Sequence, residues 1–435
     1  MQEPKWVNYH KHTSLSNVYT KDSPITNKDY WDELKNRYGE DECVYTTVEH
    51  GWAGNYFKTY DDLEKYNKKN NTNIKFVFGV EAYWVKDRHE EDKSNCHIII
   101  LARNDNGRKA INKIISIANK DGYYYRPRID LELLEMLPSE DVMITTACIA
   151  FWNKYEDVDN IVEYLANRFK YFYLEVQSHN TNSQKELNKH IIEMHNELNI
   201  PIIAGVDSHV IFESQMADRD DLLESAHINY EDENGWYMDY PSYDILFKRF
   251  QEQNILKNEE IKEAIENTNV IFQFEKIELD RSLKVPVIKS LRNKTQEERN
   301  RIFEDILKNE WKKQKWDINK EKFEEYKKEI NHDIKEIEDC NMADYFILSY
   351  YVMKNGQEKY GGVLTPTGRG SAVSMYLNKL LRLTKVDKVN SSVLMYSERF
   401  LTKERVLESH TPPDIDNNVS SREPFIRAQK ELIGE

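Results

Sequence analysis

Two hydrophobic rhythms divide the chain near residue 275. Before that point, short apolar runs rich in β-branched and aromatic residues recur: KWVNYH, CVYTTVEH, IKFVFGVEAYWV, HIIILAR, DVMITTACIA, FYLEVQSH and PIIAGVDSH. Their length and composition predict strands. Amphipathic stretches such as NKDYWDELKNRYG and SQKELNKHIIEMHNELN lie between them, so the order reads β-α about seven times. That order predicts an α/β fold, a parallel barrel or a doubly wound sheet.

After residue 275 the rhythm changes. LKVPVIKS reads as a linker, and from about Thr295 to Cys340 Leu, Ile, Phe and Trp recur at helical spacing among many charges. Those charges fit a solvated helix face. ADYFILSYYVMKNG, a glycine-rich turn GGVLTPTGRGS opening a helix, YSERFLTKER and PPDIDNNV follow. Two domains are expected, 1–275 and 276–435, because single cores stop growing near ~250–300 residues.

Composition narrows the classes. No run of ~18 apolar residues occurs and the first residues lack a signal-peptide pattern, so neither a membrane span nor export is expected, and a cytoplasmic protein is. The four cysteines (Cys43, Cys96, Cys148, Cys340) form no CxxC pair, which argues against a disulfide frame and an all-cysteine zinc knot. The formal charge of -15 counts against a surface that is a nucleic-acid platform throughout. It counts less if many acids are metal ligands, whose charge bound cations offset.

Metal-competent residues gather where the predicted strands end: His10, His12, His50, Glu81, Cys148, Asp207 and His209. In parallel barrels chemistry sits at that C-terminal face. His10 and His12, two apart on an extended segment, share a face and can ligate one ion, and Asp207 and His209 repeat the spacing. His97 is the exception, since it opens its run. Mixed imidazole, carboxylate and thiolate donors suit Zn²⁺, Mn²⁺ or Fe and argue against Mg²⁺ or Ca²⁺. Ions in such a site activate water, orient a phosphodiester and offset charge on the leaving oxygen. Cys43, Cys96 and Cys340 read as buried thiols. His179 closes FYLEVQSH and could contact substrate or sit at the surface, and Arg126 and Arg128 could reach a phosphate or form structural ion pairs.

YHKHTS, VEHGW, FGVEAYW, NCHIIILA, GYYYRPRID, TTACIA and GVDSH stand in one order over about residues 5–212. This segment resembles the polymerase and histidinol phosphatase (PHP) domain, in the form that opens the alpha subunits of bacterial polymerase III, the C-family replicative polymerases. The resemblance implies a distorted (β/α)7 barrel holding two to three ions. His10, His12, Glu81 and Asp207 would hold one. Glu81, bridging, would hold a second with His97 and Cys148, the latter as a thiolate ligand. Asp22, His50 and His209 would hold the third. The implied activity is 3′→5′ exonuclease proofreading of DNA.

The second segment resembles the start of the polymerase III alpha palm, an α+β nucleotidyltransferase fold. Gly368, Arg369, Gly370 and Ser371, at an expected helix N-terminus, would face a dNTP triphosphate. Asp414 and Asp416 would be the first two polymerase carboxylates, on one face of an expected strand, with Mg²⁺ as their ion. Arg399 and Arg405 would contact phosphates. Many relatives carry a further Asp where this chain has Asn418. The palm is expected to be truncated before thumb and fingers, so no primer extension is expected. DNA and replisome subunits are the implied partners. Two other readings stand beside this one. A free-standing phosphatase of small phosphomonoesters has no use for GRGS followed by PDID, and a non-catalytic scaffold would carry no metal.

Overall fold

The computed structural model describes residues 4–94, 96–147, 149–228, 235–280, 283–365, 368–409 and 411–434. The chain divides into two compact units, Met1–Leu279 and Asp280–Glu435.

The first unit is built on one curled, half-barrel sheet of β1 (Cys43–Thr47), β2 (Ile74–Trp84), β3 (Cys96–Ala102), β4 (Tyr123–Tyr124), β5 (Arg126–Ile129), β6 (Val142–Thr145), β7 (Phe172–Gln177) and β8 (Ile202–Gly205). The strand order is β4-β5-β2-β3-β6-β7-β8, with β1 also on β2. The pairs β1/β2, β2/β5, β6/β7 and β7/β8 are parallel. β3 runs antiparallel to both its neighbours, β2 and β6. No helix intervenes between β2 and β3, and β4 and β5 form a hairpin, so the β-α alternation expected throughout is broken twice. The run KWVNYH forms no ladder. Instead the Ser208 amide donates to His10 O, the His12 amide to Ser208 O and the Val48 amide to Lys11 O. The segment thereby joins the two open edges of the sheet, beyond β8 and beyond β1, at one rim.

Side chains alternate across a strand. Val77, Gly79 and Glu81 share a face of β2; His97, Ile99 and Leu101 share one of β3; Glu175 and Asp207 follow the same parity on and just beyond β7 and β8. The apolar members, with Val44, Val48, Met143 and Ile203, pack as one buried cluster. The face that fills the interior with aliphatic groups low down therefore presents acids and imidazoles at the rim. Amphipathic helices cover the other face. In the helix Asp105–Asp121, Ile111, Ile114, Ile115 and Ala118 are buried, and the Asn104 side chain caps the Gly107 amide at 3.0 Å. Gly107 permits that docking, since a Cβ there would lie 2.0 Å from Asp141 O.

The second unit is helical: Gln296–Gln314, Phe323–Asp339, Ala343–Glu358 and Glu423–Ile433 are its long helices. Thr295 starts the first with a reciprocal cap to Glu298. Phe303, Leu307, Tyr326, Ile337, Phe346, Tyr376 and Leu380 are buried in its core. The strand expected at Asp414 and Asp416 is not formed; among the described residues this unit holds only the isolated bridge Leu364↔Val419. No helix among the described residues is long and apolar enough to cross a membrane.

Candidate metal centre

At the rim, Glu81 is surrounded by imidazoles. Its carboxylate lies 3.5 Å from His10 Nε2, 3.0 Å from His12 Nε2, 3.1 Å from His50 Nδ1 and 3.0 Å from His97 Nδ1. Asp207 Oδ1 lies 3.3 Å from His10 Nε2 and 3.2 Å from both His12 Nε2 and His209 Nε2. Three groups could each hold an ion: His10, His12 and Asp207; His50, Glu81 and His97; and His12, His50 and His209. His97 reaches this rim because β3 is reversed, so the start of β3 lies beside the end of β2, with His97 opposite Tyr83. The backbone bends to bring the acid in, with Asp207 in the left-handed region at φ 54°, a conformation that tends to mark functional positions.

These approaches are not hydrogen bonds. His10 Nε2, His12 Nε2, His50 Nδ1, both Glu81 oxygens, Asp207 Oδ1 and His209 Nδ1 are buried without a hydrogen-bond partner. Buried polar atoms are normally satisfied, so a converging set of unsatisfied ones calls for a ligand. Two donors at Zn-type distances around one tetrahedral ion lie about 3.3 Å apart, which is the spacing seen here. The donor chemistry and the geometry both fit divalent metal.

Outer groups aim the imidazoles. His10 Nδ1 donates to Glu175 Oε1 at 2.6 Å. His12 Nδ1 donates to Ser16 Oγ at 3.1 Å, and Ser16 in turn donates to Glu49. Thr13 Oγ1 also donates to Glu49, at 2.6 Å. Asp22 accepts from Thr20 Oγ1 at 2.6 Å, and its Oδ1 faces His209 Nδ1 at 3.4 Å. Burial raises the carboxyls of Glu81 and Asp207, but the surrounding imidazoles outweigh it and hold both well below the usual range. Burial lowers His209, yet Asp22 and Asp207 outweigh it and lift the ring to about 10. Burial lowers His50, and the neighbouring His12 lowers it further.

The site therefore gathers His10, His12, Asp22, His50, Glu81, His97, Asp207 and His209. Cys148 lies outside the described residues. His50 departs from the expected grouping: besides standing near His209 it faces Glu81 together with His97. Glu175, Ser16 and Glu49 were not singled out from the sequence; Glu49 beside His50 and the lone acid in FYLEVQSH were the available signals.

Other expected contacts divide. Arg128 is buried and donates to four backbone carbonyls, of Gly122, Glu90, Asp92 and Arg88, so its guanidinium braces the surrounding loops. The Arg126 guanidinium lies 4.8 Å from the Tyr83 ring, which is 5.0 Å from the His97 ring. His179 is buried, not at the surface; its Nδ1 accepts from the Tyr237 amide at 3.0 Å, its ring stacks on Trp236, and burial lowers it to about 4. Cys43 and Cys96 are buried, whereas Cys340 is half-buried.

In the second unit, Asp414 and Asp416 are exposed on either side of half-buried Ile415, so they share a face without a ladder. Gly368, Arg369 and Gly370 lead into a 3-10 turn, Ser371–Ser374, and not directly into an α-helix. Gly370 stands at φ 71°, a conformation that favours glycine, and a Cβ there would lie 2.3 Å from Asp416 Oδ2, so the two close on each other. Arg369 Nε is 3.9 Å from the same oxygen. Arg399 and Arg405 are exposed, and Arg405 Nη1 donates to Arg399 O at 2.6 Å. Arg405 and Asp414 also line one small cavity.

Comparison with known proteins gives two matches along the chain. Residues 8–179 match the PHP domain, and residues 290–435 match the bacterial DNA polymerase III alpha NTPase domain. Over most of its length the chain is similar to proteins named DNA polymerase III subunit alpha: 26% identical to that of Borreliella burgdorferi over 89% of this chain and 33% of the relative, 26% to that of Aquifex aeolicus (86% and 34%), and 28% to that of Campylobacter jejuni (79% and 31%). The chain thus spans about a third of the length of these curated relatives.

Proposed function

Because this chain carries a PHP domain followed by the DNA polymerase III alpha NTPase domain, and is homologous to DNA polymerase III alpha subunits, we propose that it serves as the N-terminal portion of a replicative DNA polymerase whose barrel is a metal-dependent phosphoesterase. The observation that carries this reading is the convergence of unsatisfied imidazole and carboxylate atoms on Glu81 and Asp207.

His10, His12, Glu81 and Asp207 hold one ion in this reading. Glu81 and His97, with Cys148 from the sequence pattern and His50 nearby, hold a second. Asp22, His50 and His209 hold a third. Bound Zn²⁺, Mn²⁺ or Fe supplies Lewis acidity toward a phosphodiester and its attacking water. The chain's own groups do the rest. Glu175 and Ser16 fix the rings of His10 and His12 so that Nε2 of each faces inward. Arg126 stands beside Tyr83 at the edge of the centre, where it can take a substrate phosphate. In this reading the barrel acts as a 3′→5′ proofreading exonuclease on single-stranded or mismatched DNA ends in the cytoplasm, beside other replisome subunits.

Asp414 and Asp416, with the GRGS turn against Asp416, would belong to a polymerase centre that takes Mg²⁺ and a dNTP.

Elemental analysis and an exonuclease assay test the barrel together. The purified chain should retain two to three transition-metal ions and, with Mn²⁺ or Zn²⁺, shorten a 3′-terminated oligonucleotide. His12→Ala should lower metal content and abolish shortening. Less than about one equivalent of metal after reloading, or equal digestion by the variant, would sink the reading.

A further inference from the structure

The hairpin of β4 and β5 carries the sequence Tyr123-Tyr124-Tyr125-Arg126. Tyr124 pairs with Arg126, leaving Tyr125 alone in the turn at φ 60°. Glycine takes that conformation without strain and a tyrosine does not. Tyr125 is nevertheless there, 64% exposed, and Tyr123 is 56% exposed. Folding accounts for neither ring, because neither is packed in the core and the turn would form more readily without the Cβ of Tyr125.

A cation stands beside Tyr124 and Tyr125. Lys93 Nζ lies 4.3 Å from the Tyr125 centroid, occupying one face of the ring. The edge-on contact with Tyr124, at 4.9 Å and 87°, sets its orientation. Of the nearby acids, Asp92 is turned away onto Tyr155 and Ser94, and Glu91 accepts from Tyr124 Oη at 3.3 Å. Side-chain contacts connect this turn to the metal centre: Arg126 lies over the buried Tyr83 ring, Tyr83 is edge-on to His97 at 5.0 Å, and Tyr19 meets Tyr83 at 6.2 Å.

We propose that the Tyr123–Tyr125 turn is a stacking platform for the last bases of a single-stranded DNA 3′ end, with Lys93 and Arg126 on its phosphates, delivering the terminal phosphodiester to the metal centre. This rests on the phosphoesterase reading of that centre. Exposed aromatics with interleaved cations are how proteins hold single strands without reading their sequence. On an acidic chain of net charge -15, exposed aromatic rings with Lys93 and Arg126 beside them are also what would give a polyanion a preferred place to bind.

Fluorescence anisotropy of a short, dye-labelled oligothymidylate, measured with the full chain in EDTA so that no digestion occurs, tests the platform. Tyr125→Gly should weaken binding about tenfold while its melting temperature stays level or rises, since the turn is relieved. Tyr125→Phe, which keeps the stacking face, should bind as the wild type does. Lys93→Gln should reduce the salt dependence of binding by about one counterion. Equal binding by Tyr125→Gly, or equal losses in Tyr125→Gly and Tyr125→Phe, would overturn the platform alone if the wild type binds and trims the strand. A wild type that neither binds nor trims the strand would overturn the platform and the DNA phosphoesterase reading together.

Discussion

Glu175 Oε1 accepts from His10 Nδ1 at 2.6 Å, and this one bond fixes which nitrogen of His10 is left to face Glu81 and Asp207. The same carboxylate takes Tyr9 Oη at 2.6 Å and Thr145 Oγ1 at 3.1 Å, so it is held both by the N-terminal segment and by β6. Gly205 on β8 leaves it room, since a Cβ there would lie 2.0 Å from Oε1.

Glu175→Gln should therefore weaken metal retention about 10- to 100-fold without unfolding the barrel, because the amide cannot keep every donor and the basicity of His10 falls. Competition against a chelator, read by metal analysis, gives the number. Gly205→Ala should have a similar effect by pushing Glu175 aside. Unchanged retention in both variants would show that His10 needs no such orientation.

Proton linkage gives the metal site a pH signature. Glu81 and Asp207 are depressed, so their contribution to the metal-free fold is present above about pH 4 and lost as pH falls. His209 is raised to about 10, so its contribution is complete below about pH 6.5 and lost as pH rises toward 10. His50 and His179 are lowered, so they cost stability as pH falls below about 6.5, and the metal-free chain should be most stable near pH 6.5. Metal competes with those imidazole protons, so loading should shift the optimum upward and release protons. Thermal melts with and without metal across pH check this, and identical profiles would contradict it.

In the second unit, Asp333 is fully buried, accepting from the Leu377 amide at 3.1 Å and Ser397 Oγ at 3.0 Å, and burial raises it to about 6. Its stabilising contribution is complete below the unfolded value near 3.8 and falls as pH rises through 6. Between pH 4.5 and 7.5 the wild type should lose about 2 kcal/mol that Asp333→Asn does not. Urea midpoints at the two values measure it. Parallel losses in both proteins would assign the pH dependence elsewhere.

Gly356 sits within the helix Ala343–Glu358, where alanine is ordinarily better by about 1 kcal/mol. Here a Cβ would lie 2.3 Å from Phe425 Cδ1, so Gly356→Ala should destabilise the unit. Phe425→Ala alone should cost about 3 kcal/mol, and in that background Gly356→Ala should become neutral or favourable. A double-mutant cycle by denaturation decides it; additive effects would mean that the helices can separate to admit the methyl.

The sequence by itself determined the donors and most of their placement. HxH and DxH spacings put imidazoles and acids on shared faces, because side-chain direction in extended chain is local geometry. The long helices from Gln296 were legible for the same reason: capping at Thr295 and apolar spacing are short-range signals. What needed the tertiary structure was everything set by strand direction and by distant partners. His97 reads as misplaced until β3 is seen to run backwards, which carries the start of its strand to the rim. His50 meets Glu81 and His97 through the isolated bridge His50↔Glu81, a pairing between distant segments that no local pattern encodes. From the sequence Arg128 could reach a phosphate or form a structural ion pair; in the fold it donates to four carbonyls of the loops around it, partners that no local pattern names. Asp414 and Asp416 keep the expected shared face yet gain no ladder, because alternation is a property of the extended chain, whereas a strand requires a neighbour to pair with.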